Sequence, residues 1–119
     1  MLDTDKITAL GIDVADGLAY CADDPEFYVE MLAEYVHEGE ANREQLRQFF
    51  DEQDWDNYRI RAHSVKNTSR MIGAATLSER ANALELAARE QDAETILASH
   101  AVFLADYTAL VDAIRGLIG

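Results

Sequence analysis

Proline occurs once in this sequence, at position 25, and glycine six times. So few breakers exclude the many tight turns of a β-sandwich, and the helix-favouring residues Ala, Leu, Glu and Arg are abundant. Cysteine also occurs once, as Cys21, which excludes an internal disulfide. No apolar run approaches the roughly 18 positions needed to span a bilayer. No segment joins a basic start to an apolar stretch and a small-residue cleavage site, so the chain is expected in the cytoplasm. Positive charge is scarce too: 10 Lys and Arg face 23 Asp and Glu, for a formal net charge of -13. A field of that sign repels nucleic acid and anionic membranes. What is present is a chain of 119 residues, 49% of them hydrophobic. That supports one core, and a single domain over 1–119 is expected.

The apolar spacing predicts an all-α fold: an antiparallel four-helix bundle over 25–116 with a short N-terminal helical piece over 4–21. Gly11 and Gly17 punctuate that piece. Asp24-Pro25-Glu26 opens the first long helix, with Asp24 as cap, Pro25 at the first position and Glu26 at the positive end of the dipole. Its stripe is Tyr28, Met31, Leu32, Tyr35, Leu46, Phe49 and Phe50, interrupted on the same face by Gly39 and Asn42. The interruption implies either a close approach or a break near 39. Trp55, Tyr58, Ala62, Val65, Ser69 and Ile72 form the core face of the next helix, which Gly73 stops. Thr76-Leu77-Ser78-Glu79 has the form of a capping box for a third helix, with the stripe Leu77, Ala81, Leu84 and Ala88. Asp92 is the expected cap of a fourth, whose stripe includes Ile96, Phe103, Tyr107, Leu110, Val111 and Ile114.

The charge is uneven. Residues 57–78 hold none of the carboxylates but four of the fixed cations, Arg59, Arg61, Lys66 and Arg70. At helical pitch Arg59, His63, Lys66, Asn67 and Arg70 share one polar sector turned away from the Tyr58, Ala62, Val65 stripe. His63 is therefore expected to be accessible, and cations around an exposed imidazole favour its neutral, nucleophilic form and would stabilise an anion placed on it. The other histidines promise less. His37 follows Glu34 with the Glu-x-x-His spacing of di-iron bundles, but the chain has no second copy, so a rim position is expected and no metal site is assigned. His100 lies one turn from Ile96 and Phe103 and is expected to pack, partly buried.

The run Ala62-His63-Ser64-Val65-Lys66-Asn67, with Ile72-Gly73-Ala74, Leu77, Ala81 and Leu84-Glu85, resembles the signature of histidine-containing phosphotransfer (HPt) domains. Gly11-Ile12-Asp13, Gly17-Leu18 and Phe27-Tyr28 through Leu32 resemble the family's N-terminal region, so the likeness covers most of residues 10–110. It implies a phosphocarrier that takes a phosphoryl group from a receiver-domain phospho-aspartate and passes it to another receiver. His63 matches the phospho-acceptor, and Lys66 the residue that stabilises the phosphoryl group. Arg59, Asn67 and Arg70 are assigned to receiver docking, Arg70 from helix geometry alone. Asn67 departs from the family's usual small residue: it can crowd a partner, or its amide can bond a phosphoryl oxygen.

No nucleotide-binding loop is present, so no kinase activity is expected. No intrinsic cofactor is expected either, magnesium coming with the receiver. Expected partners are response-regulator receivers and a hybrid sensor kinase, with neither nucleic acid nor membrane, and the chain is expected to be a monomer. The alternatives are a non-catalytic helical adaptor, an HPt-like domain that has lost transfer, and the di-iron bundle.

Overall fold

A computed structural model describes residues 3–118, so Met1, Leu2 and Gly119 of the expected 1–119 domain lie outside the described residues. Among the described residues there are six helices and no strand: α1 (Thr4–Thr8), α2 (Val14–Tyr20), α3 (Pro25–Asp51), α4 (Trp55–Met71), α5 (Ala75–Arg89) and α6 (Ala93–Ile118). The last four form the bundle. Helix α3 packs on α4 and α6, and α5 packs on the same two. The connections 52–54, 72–74 and 90–92 are short, and the helix after each packs on its predecessor.

Local chemistry explains most boundaries. The Asp24 carboxylate accepts from the backbone N–H groups of Glu26 and Phe27 behind Pro25, opening α3. Asp54 caps α4 through the Asn57 N–H, and Asp92 accepts from Thr95 at the start of α6. The expected capping box at 76–79 is not used: α5 already begins at Ala75 and its N-cap, Ala74, makes no side-chain cap bond. The turn at Gly73 sets that start, with the Ala74 N–H bonded back to the Ser69 carbonyl. Ser78 sends its hydroxyl to the Lys66 carbonyl at 2.9 Å instead, stitching α5 to α4.

The possible break near residue 39 is absent, and α3 runs unbroken for 27 residues. At Gly39 α3 comes close against α6: a β-carbon there would sit 2.9 Å from a Val111 methyl. Asn42, one turn on, is buried and donates to the Tyr107 hydroxyl at 3.3 Å. Burial against α6 thus offsets the roughly 1 kcal/mol that Gly costs a helix interior.

The expected stripes of α4 and α5 are buried throughout, and Tyr28, Leu32, Tyr35 and Leu46 anchor α3. The N-cap of α2 and the first turns of α3 fasten the α4–α5 corner. The Asp13 N–H donates to the Gly73 carbonyl at 2.9 Å, and the Tyr28 hydroxyl donates to the Ile72 carbonyl at 2.8 Å. Gly73 has φ +89°, and a β-carbon would collide with the Asp13 carbonyl, so both the left-handed turn and the close backbone contact require glycine there.

Candidate functional site

Helix α4 buries Trp55, Tyr58, Ala62, Val65 and Ser69, which turns His63 outward. Its side chain is 54% exposed. Three residues on, Lys66 lies at the border between the buried and solvent faces, and its side chain is only 16% exposed. Small residues at the α4–α5 contact, Ala62 against a helix carrying Ala81 and Ala88, are all fully buried and let the two helices come close. A side chain from α5 then reaches the imidazole.

That side chain is Glu85. It is 4% exposed, and its Oε1 accepts from His63 Nδ1 at 2.8 Å and from Lys66 Nζ at 2.9 Å. Its Oε2 accepts from Arg89 at 3.1 Å. A buried carboxylate is tolerable only when paired and hydrogen-bonded, and three donors meet that need. Burial pushes the Glu85 carboxyl up, but the bonds and charges of Lys66 and His63 more than reverse it and hold it below the usual carboxylate range. The ionised carboxylate has no proton to give, so Nδ1 must carry the ring hydrogen. In the neutral ring the lone pair is then on Nε2. Asn67, one turn on and exposed, has its amide nitrogen 3.1 Å from that Nε2.

The sequence pattern placed His63 among four cations, and the structure redraws that picture. The nearest charge is a carboxylate, and Lys66 is engaged with it. Arg61 lines a groove between α3 and α4 together with His37, Glu38, Gln45, Ser64 and Asn67, beside the imidazole. Burial and the adjoining Glu34 carboxyl raise the Glu38 carboxyl there. Arg70 lies in a different depression with Asp16, Tyr20 and Glu79, so acidic side chains from other elements come beside it. Arg59 is half-buried one turn before His63. The carboxylate-free stretch of sequence is thus not carboxylate-free in space.

Glu85 and Arg89 are the site residues that sequence reasoning left without a role. The available signal was Glu85 beside Leu84 on the core stripe of α5, with Arg89 four residues on: a carboxylate at the edge of an apolar face needs partners. Of the remaining histidines, His37 lies at the surface as expected, and His100 is buried more deeply than the partial burial expected of it. His37 is exposed, and among the described residues no three His, Cys, Asp or Glu side chains are grouped to hold a metal ion. His100 is buried, stacked on Phe50 with ring centroids 3.9 Å apart, and its Nδ1 is 2.8 Å from the Tyr58 hydroxyl.

An exposed imidazole with one nitrogen fixed by a buried carboxylate, on a helical bundle, defines a histidine-bearing carrier better than a closed pocket for a small substrate. A family model for the Hpt domain matches residues 30–116, and the chain belongs to that family. The family's function is histidine phosphotransfer in phosphorelays, its domains being phosphocarrier modules that interact with receiver domains. The chain has no match among curated proteins or solved structures. No helix among the described residues is long and apolar enough to cross a membrane.

Proposed function

We propose that His63 accepts a phosphoryl group on Nε2 from the phospho-aspartate of one receiver domain and yields it to the aspartate of another. The observation that carries this reading is the Nδ1 contact with Glu85, which leaves the lone pair on the nitrogen of an exposed ring. In the forward step the Nε2 lone pair attacks phosphorus, the phosphorus–oxygen bond to the aspartate breaks, and the aspartate leaves as carboxylate. The ring keeps its Nδ1 hydrogen. Positive charge that develops on it is offset by Glu85, already in place and so needing little reorganisation. Lys66 acts by charge, as an ammonium beside the incoming phosphoryl oxygens. Arg59, half-buried one turn before His63, adds positive potential that steers a receiver's acidic pocket toward α4, while the acidic remainder of the chain disfavours other docking modes; Arg70, set beside Asp16 and Glu79, has no part in this. The divalent cation of the reaction comes with the receiver. A non-catalytic adaptor has no use for a buried carboxylate bonded to an exposed imidazole.

The test is incubation with a phosphorylated receiver and magnesium. The expected product is an acid-labile, base-stable phosphate on His63, absent from His63→Gln with helicity unchanged. Labelling that persists in that variant would overturn the assignment.

A further inference from the structure

We propose that Asn67 is a gate on the nucleophile: its amide donates to Nε2 of His63 in the resting protein and must release that atom before phosphorus can reach it. The inference rests on the reading of His63 as the acceptor and adds a control at the same atom. Helical pitch makes residue i+4 a neighbour of residue i on the same face, and the amide nitrogen of Asn67 is 3.1 Å from Nε2. The direction of the bond follows from its neighbour. Glu85 accepts at Nδ1 and so assigns the hydrogen to that nitrogen, which leaves Nε2 as acceptor and the amide as donor. The lone pair that must attack phosphorus is therefore already engaged.

Asn67 is exposed, so its side chain is free to rotate away without disturbing the core. Once Nε2 is bonded to phosphorus it no longer accepts, and the same N–H is left beside the new phosphoryl oxygens. The amide thus bonds the ring before transfer and an oxygen after it, with neither bond complete between the two. A hydrogen bond of this kind, lost on the way to the transition state, slows the step by roughly two- to tenfold.

Potassium phosphoramidate provides the test, because it phosphorylates imidazole directly: Nε2 attacks phosphorus, the phosphorus–nitrogen bond breaks and ammonia leaves. No receiver takes part, so this measurement and the receiver assay can fail independently. Labelling of His63 is followed by mass spectrometry and normalised to N-acetylhistidine in the same tube, with phosphorus NMR to identify the nitrogen modified. In Asn67→Ala the normalised rate should rise about two- to tenfold, with the product on Nε2. Asn67→Leu keeps the bulk without the N–H and should rise likewise. An unchanged or lower rate in Asn67→Ala would overturn the gate. So would a rise confined to Asn67→Ala, which would trace the effect to size, or a product on Nδ1.

Discussion

His63 and His100 share a side chain and the presence of a hydrogen-bond partner on another helix, yet they sit in opposite surroundings. His100 lies flat against Phe50, with 4° between the ring planes, and its Nδ1 meets the Tyr58 hydroxyl. A hydroxyl can donate or accept, so it suits a ring that must stay neutral in the core. Burial lowers the pKa of His100, with Asp51 opposing and Arg47 adding to the effect. His63 meets a carboxylate, which accepts only. That contact fixes one tautomer, leaves the other nitrogen at the surface and is ready to balance positive charge on the ring. The comparison teaches that exposure and the chemistry of the partner, not the histidine itself, separate a reactive site from a packing element.

The strongest way to break this contrast is to exchange the losses. His63→Gln should abolish phosphate acceptance from a phosphorylated receiver without lowering the thermal midpoint, while His100→Ala should transfer normally. His100→Ala should instead lose roughly 2–4 kcal/mol of stability in urea unfolding, from the cavity left against Phe50 and the unpaired Tyr58 hydroxyl. If the two variants fail in the same assay, the division of labour is wrong.

Glu85→Ala sharpens the comparison by giving His63 no fixed tautomer. Transfer should slow about tenfold to a hundredfold, the scale expected when a reacting group loses its alignment. Rapid-quench measurement at saturating receiver would read it, and an unaltered rate would remove Glu85 from the mechanism. Lys66→Ala should be milder, about tenfold, through slower transfer or a shorter-lived phosphohistidine in a decay assay.

The smallest effect concerns pH. The folded pKa of His100 lies below its ordinary value of 6.5, so the unfolded chain binds this proton more readily. Its contribution is intact above that value and is lost as pH falls through the lower folded value. Urea midpoints measured from pH 7 downward should decline, and His100→Gln should flatten that decline; an equal slope in both proteins would assign it to other groups.

Much of this architecture was legible along the chain, because helices are local. The steps Trp55, Tyr58, Ala62, Val65 and Ser69 fix which side of α4 is buried and so turn His63 to solvent. Asp24, Asp54 and Asp92 mark helix starts because capping involves only neighbouring residues. The failures have non-local causes. Thr76-Leu77-Ser78-Glu79 matched a capping box, but the turn at Gly73, held against the Asp13 backbone, starts α5 earlier, and Ser78 bonds the Lys66 carbonyl instead. Gly39 left two readings open, a close approach or a break, and only Val111 on α6 decides for the close approach. Residues 57–78 looked like a cationic patch because a linear count cannot include an acid on the next helix.

By itself the sequence determined the helices, their apolar faces and the exposure of His63, since each depends on propensity and periodicity within a few turns. Only the tertiary structure decided what His63 touches. Glu85 lies 22 residues away, and the close packing of α4 on α5 brings its carboxylate to Nδ1. Burial then obliges that carboxylate to gather Lys66 and Arg89 as well, because a charge removed from water must find its partners inside the protein.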